Sequence, residues 1–172
     1  MLTFLSAPYF SHPIHTSLQK FPAAVVIGQT NSKSSHERLE SLGVYPRVKD
    51  SAGDEQFPFV VFSAPPSGSE DYEAEVEAAL KLWDGTGAFV FTSSTAVYSG
   101  TDGELCDETT PPFEIGDSPR TDRLLKAEAA VLGANGCVVR LAGLYHSQVR
   151  RDASCGWRVL PCHLSPPLSR ET

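Results

Sequence analysis

The chain lacks several features that mark common classes of protein. No apolar run approaches the about 20 residues that a membrane-spanning helix needs, so we expect no membrane partner. Basic residues are too few for a nucleic-acid partner, because 14 Lys and Arg stand against 21 Asp and Glu and the net charge is −7. The cysteines form no CxxC pair, which favours ordinary thiols of a reducing compartment. These absences predict a soluble intracellular protein.

Two further features leave alternatives open. Cys155, Cys162 and His163 could hold zinc together, but their spacing is a weak match to known zinc motifs, and we predict no metal site. The N-terminus lacks the basic residues that begin a secretory signal. Its composition up to Lys20, rich in Ser, Thr and His and without acidic residues, resembles that of a transit peptide, but it lacks the arginine of such peptides, and we do not predict one. The compartment (cytoplasm or an organelle such as a plastid) and the oligomeric state stay open.

What the sequence does contain is an alternation of strand and helix patterns. At 172 residues the chain suits one domain with a substantial core. Its strand-like runs, at residues 23–28, 57–63, 88–92 and 137–142, are continuously apolar, as strands buried on both faces of a parallel sheet are. Single helices between such strands predict an α/β fold, a Rossmann-like parallel sheet with helices on both faces.

The first two helices are predicted from capping signals and apolar spacing. Ser34 stands three residues before Glu37 and begins a helix that stops at Gly43. Ser67 likewise stands three residues before a glutamate, and the apolar positions of the second helix extend to Trp83.

The third helix is predicted to begin at Ser118, because Pro119 then occupies the first helical position. Asn135 and Gly136 end it. Its inward residues are expected to be Leu124, Leu125, Val131 and Leu132.

The stretch FVFTSSTAVYSG, residues 89–100, ends a predicted strand in a cluster of hydroxyls. The side chains of Thr92, Ser93, Ser94 and Thr95 bury poorly unless other groups bond them. Ligands of open parallel sheets bind at the carboxyl ends of the strands, so the cluster predicts a site there. A polar turn after a buried strand is the alternative.

Five motifs that lie in order within residues 23–146 resemble those of a known family. They are FVVFSAPP, FVFTSSTAVYSG, CDETTPP, SPRTDRLLKAE and VVRLAGLYH. Together they resemble the extended and atypical short-chain dehydrogenases/reductases, and more narrowly the NAD-dependent epimerase/dehydratase group. The resemblance implies a Rossmann-type domain, a nicotinamide dinucleotide, and hydride or proton chemistry on a small carbonyl or sugar-like substrate.

The resemblance also implies roles for residues of the hydroxyl cluster. Ser94 matches the family's catalytic Ser or Thr, whose hydroxyl bonds the substrate oxygen. Ser93 and Thr95 would line the same pocket. Arg140 falls in the strand beside the nicotinamide end, where we expect it to bond structural carbonyls or a carboxylate.

Further residues are implied to contact the dinucleotide. Family members place an acidic residue after the second strand to bind the ribose hydroxyls of NAD, and residues 28–33 contain none. The hydroxyls and the cation there favour the 2′-phosphate of NADP, so NADP is slightly preferred to NAD, and a plain polar loop is the alternative. The implied cofactor-binding residues are Thr30, Ser32 and Lys33 in this loop, Ala64, Pro65 and Pro66 after the FVVFS strand, Ser93, and Tyr145 near the nicotinamide.

Two departures from the family pattern bear on activity. The positions of the family's Tyr-x-x-x-Lys acid/base pair fall on Arg120 and Leu124, and neither residue can relay the proton. The first 27 residues contain no glycine, so the glycine-rich phosphate loop is absent. Residues 2–5 could imitate a short first strand, with residues 6–9 in place of the glycines. We therefore expect a missing or degenerate first strand and weak dinucleotide binding.

The expected organisation is a degenerate N-terminal segment (1–22), an NAD(P)-binding domain (23–146) and a poorly structured tail (147–172). Three functions stay open. The first is a weakly active NAD(P)-binding protein of the epimerase/dehydratase group, with a dinucleotide and an unknown small-molecule substrate as partners. The second is a non-catalytic dinucleotide sensor or scaffold, and the third is an inactive, truncated product of a longer gene.

Overall fold

Six parallel strands form one sheet in the described part of the chain. The structure is a computed structural model that describes residues 2–5, 23–49, 53, 55–100, 106, 107 and 109–141. The sheet has the order β3-β2-β1-β4-β5-β6, and each neighbouring pair is parallel. The prediction of a parallel Rossmann-like sheet is confirmed. The strands are β1 (Leu2–Leu5), β2 (Val26–Thr30), β3 (Tyr45–Val48), β4 (Phe57–Phe62), β5 (Trp83–Ser94) and β6 (Cys137–Leu141).

The strands expected from the apolar runs are all present, but some of their ends differ. β2 begins at Val26 rather than at residue 23. β5 begins at Trp83, the residue to which the apolar positions of the second helix extend, and it includes Gly85 and Gly87. The pairing of β4 with β5 shifts register between Phe57 and Phe59. The β5 strand therefore extends further back than its apolar run indicates.

A first strand is present, and it lies in the middle of the sheet. Leu2 of β1 stands opposite Val26 of β2 on one side and Phe59 of β4 on the other. Without this strand β2 and β4 would be separated, so residues 2–5 make the sheet continuous. Residues 6–9, which were expected in place of the glycines of the phosphate loop, lie outside the described residues.

The sequence did not predict β3, which stands at one end of the strand order. β3 has only four residues, and one of them is Pro46, which pairs in register with Gly28. Proline cannot donate to a β-ladder and is therefore found mainly on edge strands, at strand starts and at bulges. A short edge strand that contains proline gives too little apolar pattern to be recognised.

Helices cover both faces of the sheet. They are α1 (His36–Ser41), α2 (Tyr72–Leu80) and α3 (Pro119–Gly133). Ile27 of β2 packs against the core beneath α2 and α3, whereas a Cβ on the next residue, Gly28, would meet Leu39 of α1. Successive side chains of a strand point to opposite faces, so α1 lies across the sheet from α2 and α3.

Three details of the helix predictions are wrong. α1 begins at His36 rather than at Ser34. Asp71 caps α2, whereas Ser67 lies in a 3-10 turn over Pro66–Gly68. Leu132, which was expected to face inward on α3, is 55% exposed because it lies on the solvent side of the helix.

The ends of α3 agree with their sequence signals. Pro119 is the first helical residue after Ser118. Just past the end, Asn135 adopts a φ of 62°, a left-handed conformation that asparagine tolerates. Beneath α2 and α3 lies the apolar core, which includes Phe57, Val60, Phe62, Tyr72, Val76, Phe89, Phe91, Leu124, Leu125 and Val131.

Candidate functional site

The candidate site lies at the carboxyl edge of the sheet, where β4 and β5 end side by side. Phe62, the last residue of β4, stands opposite Phe91, so β5 extends three residues further, to Ser94. The hydroxyl of Thr92 donates to the carbonyl oxygen of Phe62 at 3.2 Å and ties the two strand ends together. The segment from Ala64 to Pro66 therefore leaves the sheet beside the hydroxyl cluster of β5.

Ser94 is the last residue of β5 and begins a 3-10 turn over Thr95–Val97. Its backbone is extended, with φ −132° and ψ 144°. Its Oγ accepts a hydrogen bond from the amide N–H of Ala96 at 3.1 Å, which caps the turn. A hydroxyl can accept one bond and donate another at the same time, so the Ser94 proton can serve a ligand oxygen.

Ser93 points to the other face of β5, towards α3. Its side chain is buried, and its hydroxyl donates to the Oε1 atom of Glu128 at 2.5 Å. Because neighbouring residues of a strand alternate between faces, Ser93 and Ser94 belong to different environments. A direct contact between Ser93 and a cofactor stays a prediction.

Glu128 also forms a paired, two-bond contact with Arg140 of β6. The Nη2 and Nε atoms of Arg140 donate to Oε2 at 2.7 Å and to Oε1 at 3.1 Å. The guanidinium lies over the Tyr98 ring, 4.9 Å from its centroid. The hydrogen bonds to Glu128 raise the pKa of Arg140 despite its partial burial. The expected contact between Arg140 and a carboxylate is confirmed.

The sequence interpretation missed Glu128 as a partner in this site. The residue is only 3% exposed, although glutamate on a helix is usually solvated. A signal was available, because Glu128 follows Leu124 by four residues and precedes Val131 by three, and both of these apolar residues face inward.

The segment after β4 is fixed by a buried phenol. The hydroxyl of Tyr72, at the start of α2, donates to the carbonyl oxygen of Ala64 at 2.7 Å. Burial raises the pKa of Tyr72, which keeps the phenol in its neutral, donating form. Pro65 is exposed and Pro66 is half-buried.

The loop after β2 contains the residues predicted for the adenosine end of the cofactor. The Thr30 hydroxyl donates to the Ser32 carbonyl oxygen at 2.8 Å and lies 2.9 Å from Nε2 of His36. The hydroxyls of Ser32 and Ser34 are 2.9 Å apart, and Lys33 is exposed. Thr30 therefore orders the loop, while Ser32 and Lys33 face outward. His36 was not predicted to take part.

The two positions of the family's acid/base pair both lie on α3. Arg120 is exposed in the first turn, whereas Leu124 is buried in the core.

Tyr145 and the tail over residues 147–172 lie outside the described residues. Cys155, Cys162 and His163 lie outside them as well, and within the described residues no group of three His, Cys, Asp or Glu side chains could hold a metal ion. Over the same residues, no helix has the length and apolar character to cross a membrane.

The strand order β3-β2-β1-β4-β5-β6 defines a Rossmann-like fold, whose ligand edge is the one described above. Solved structures with the same fold include two enzymes that were each solved in complex with NAD. No protein family model matches the sequence, and no curated protein matches it.

Three of these structures illustrate the likeness. A conserved protein of unknown function from Silicibacter pomeroyi is 23% identical with a TM-score of 0.63, and the match covers 84% of this chain and 53% of that one. The Bordetella bronchiseptica enzyme WbmH, solved with NAD+, is 16% identical with a TM-score of 0.56 and coverages of 82% and 55%. UDP-glucuronic acid 4-epimerase from Bacillus cereus, solved with NAD, is 18% identical with a TM-score of 0.57 and coverages of 87% and 59%.

At these identities the likeness shows the fold alone. The chain spans between half and three fifths of the length of these proteins, from 53% to 59%. The resemblance to the NAD-dependent epimerase/dehydratase group is thus confirmed at the level of the fold.

Proposed function

We propose that this chain binds a nicotinamide dinucleotide, NADP(H) in preference to NAD(H), at the carboxyl edge of its sheet. The observation that carries the proposal is the junction of β4 and β5, where Ser94 and the segment from Ala64 to Pro66 leave the sheet side by side. Open parallel sheets bind their ligands at this edge. Structures with the same fold that contain NAD support the choice of ligand class.

The preference for NADP rests on the loop after β2. Residues 28–33 contain no carboxylate that could accept bonds from the ribose hydroxyls of NAD. Lys33 is exposed beside the Ser32 hydroxyl, so both could bind an anionic oxygen. The 2′-phosphate of NADP supplies that charge, and NAD lacks it.

The binding is expected to be weak. The first 27 residues contain no glycine, so side chains hinder the close approach of backbone N–H groups to the pyrophosphate. Hydrogen bonds to charged groups contribute about 1.5–3 kcal/mol each. Losing two of them weakens binding by roughly two to four decades, at about 1.4 kcal/mol per decade.

We propose Ser94 as the residue that donates to the substrate oxygen, because its Oγ accepts from the Ala96 amide and a hydroxyl can donate its proton at the same time. The substrate would be a small carbonyl or sugar-like molecule. Arg120 stays protonated, and the Leu124 side chain has no proton to transfer. Turnover through the family's usual acid/base pair is therefore not expected, and any activity would be weak.

A non-catalytic dinucleotide sensor or scaffold is the second candidate function. The burial of Leu124 favours it, because a core leucine occupies the position of the family's catalytic lysine. An enzyme and a sensor of this fold would bind the same cofactor, so only turnover separates them.

Calorimetric titration of NADPH and NADH into the purified protein tests the binding proposal. We expect NADPH to bind with micromolar or weaker affinity and NADH more weakly still. Hydrogen exchange with saturating NADPH should show protection at residues 63, 64 and 94–98. Nanomolar affinity, a preference for NADH or protection confined to other segments would contradict the proposal. A panel of carbonyl substrates then separates the enzyme from the sensor.

A further inference from the structure

Glu128 is a buried carboxylate that the proposed chemistry does not use. Its side chain is 4% exposed, and that of its partner Arg140 is 25% exposed. A charge removed from water in this way is costly unless an opposite charge and further hydrogen bonds compensate it. Glu128 therefore depends on both the guanidinium of Arg140 and the hydroxyl of Ser93.

The ion pair contacts both ends of one short segment, residues 93–98, which we name the Ser94 turn. At its start, the Ser93 hydroxyl donates to Glu128. At its end, the Tyr98 ring packs on the guanidinium of Arg140 at 4.9 Å. Glu128 lies on α3 and Arg140 on β6, so one ion pair links the turn to two elements of the domain.

The middle of the Ser94 turn is held by local bonds and by packing. The Ala96 amide donates to the Ser94 Oγ at 3.1 Å, and the Tyr98 amide donates to the Thr95 carbonyl oxygen at 3.2 Å. Val97 is fully buried. These contacts shape the turn itself.

We propose that Glu128 and Arg140 are positioning residues that fix the Ser94 turn and so hold the Ser94 hydroxyl at the ligand edge. The role of Ser94 as a binding residue rests on the proposed function. The anchoring of the turn is a property of the free protein and can be measured without any ligand. An ion pair that contributed only to stability would have no particular effect on these six residues.

Hydrogen exchange in the free protein is the first test. In Glu128→Gln the amide keeps an acceptor for Ser93 but loses its charge, and the amides of Ala96 and Tyr98 should exchange roughly tenfold faster. Val131→Ala is the matched control, because Val131 lies one turn away on the same helix and is fully buried. The melting temperature of Val131→Ala should fall at least as far as that of Glu128→Gln. In Val131→Ala, however, the amides of Ala96 and Tyr98 should exchange no faster than those of the rest of the domain. Equal acceleration in both variants would overturn the proposal.

A double variant separates positioning from stability. Replacing both partners of a buried ion pair by apolar residues often restores stability. In Glu128→Met/Arg140→Met the melting temperature should recover towards that of the wild type, while the Ala96 and Tyr98 amides should still exchange faster. If their protection recovered with the melting temperature, the ion pair would be only a stabilising contact.

NADPH titration is the second test and reports on the ligand. Glu128→Gln should weaken NADPH binding roughly tenfold, because the turn that it anchors borders the proposed cofactor edge, whereas the control Val131→Ala should leave NADPH binding within about twofold of the wild type. Equal weakening in both variants would contradict action through the Ser94 turn. If the wild type binds no dinucleotide, the proposed function fails, and the exchange experiment still decides whether the ion pair anchors the turn.

Discussion

The phenol of Tyr72 donates to the carbonyl oxygen of Ala64 at 2.7 Å, which fixes the segment after β4 to the first residue of α2. The ring is buried and packs edge-on against Phe62, with ring centroids 5.9 Å apart. One side of the candidate site is thus held by a neutral buried group. The opposite side, at the Ser94 turn, depends on the charged pair of Glu128 and Arg140.

The burial of Tyr72 should make stability depend on alkaline pH. Burial raises the pKa of the folded phenol above its unfolded value of about 10. The folded protein therefore retains a proton that the unfolded chain releases, and the free energy of unfolding falls as pH rises above about 10, by up to about 1.4 kcal/mol per unit. Tyr72→Phe removes this contribution.

Denaturant unfolding of the wild type and Tyr72→Phe between neutral pH and pH 11 measures the difference. At neutral pH the variant should be less stable by about 1 kcal/mol, because the Ala64 carbonyl loses its donor. The difference in the free energy of unfolding between the wild type and Tyr72→Phe should narrow above pH 10. A constant gap across this range would show that Tyr72 titrates normally.

Gly87 is required where β4 and β5 approach each other closely. A Cβ at this position would collide with the backbone carbonyl oxygen of Pro58. That carbonyl also accepts from Trp83 Nε1 at 3.2 Å, so it cannot move without losing a bond. We expect Gly87→Ala to destabilise the fold by about 1–3 kcal/mol, as other overpacked substitutions do.

The control for this prediction is Gly68→Ala, because nothing lies within 4 Å of a Cβ at Gly68. Chemical denaturation of both variants gives the comparison. Equal losses of stability would mean that the Gly87 contact relaxes at little cost.

Asp71, rather than Ser67, should contribute the capping energy of α2. The Oδ1 atom of Asp71 accepts from the Ala74 amide at 3.0 Å. Asp71→Ala should lower the free energy of unfolding by about 1 kcal/mol, because one amide at the helix start loses its acceptor. Ser67→Ala should leave stability within about 0.5 kcal/mol of the wild type. Thermal unfolding of the two variants measures both losses of stability. A larger loss in Ser67→Ala than in Asp71→Ala would show that Ser67 caps the helix, as the sequence predicted.

The sequence predicted those strands whose residues are nearly all apolar. β4 follows from an unbroken apolar run and β6 from a run that only Arg140 interrupts, and such runs are typical of the strands of a parallel sheet. β3 could not be recognised, because four residues that include Pro46 make an edge strand only through their neighbours. The cap of α2 was misplaced because Ser67 and Asp71 both match capping chemistry, and only the backbone decides between them.

For the candidate site, sequence motifs located the residues but not their partners. The hydroxyl cluster after a buried strand predicted that Ser94 stands at the carboxyl edge, and β5 ends there. The opposite orientation of Ser93 follows from strand alternation once the strand is known to run to residue 94. Its bond to Glu128 joins residues 35 positions apart and could not be derived from local pattern.

Lys33 should control the choice between the two dinucleotides. It is the exposed cation in the loop after β2, beside the Ser32 hydroxyl. An ammonium bonded to the 2′-phosphate contributes only when that phosphate is present, so Lys33→Ala should weaken NADPH binding roughly tenfold at low salt and leave NADH binding unchanged.

Lys81→Ala is the matched control, because Lys81 is also exposed but lies just before β5 begins, at the opposite edge of the sheet. Calorimetry at low and at physiological salt measures both variants. The NADPH effect should shrink as salt rises, because exposed charges are screened. Parallel losses for NADPH and NADH in Lys33→Ala would place this lysine away from the 2′-phosphate and remove the reason for preferring NADP.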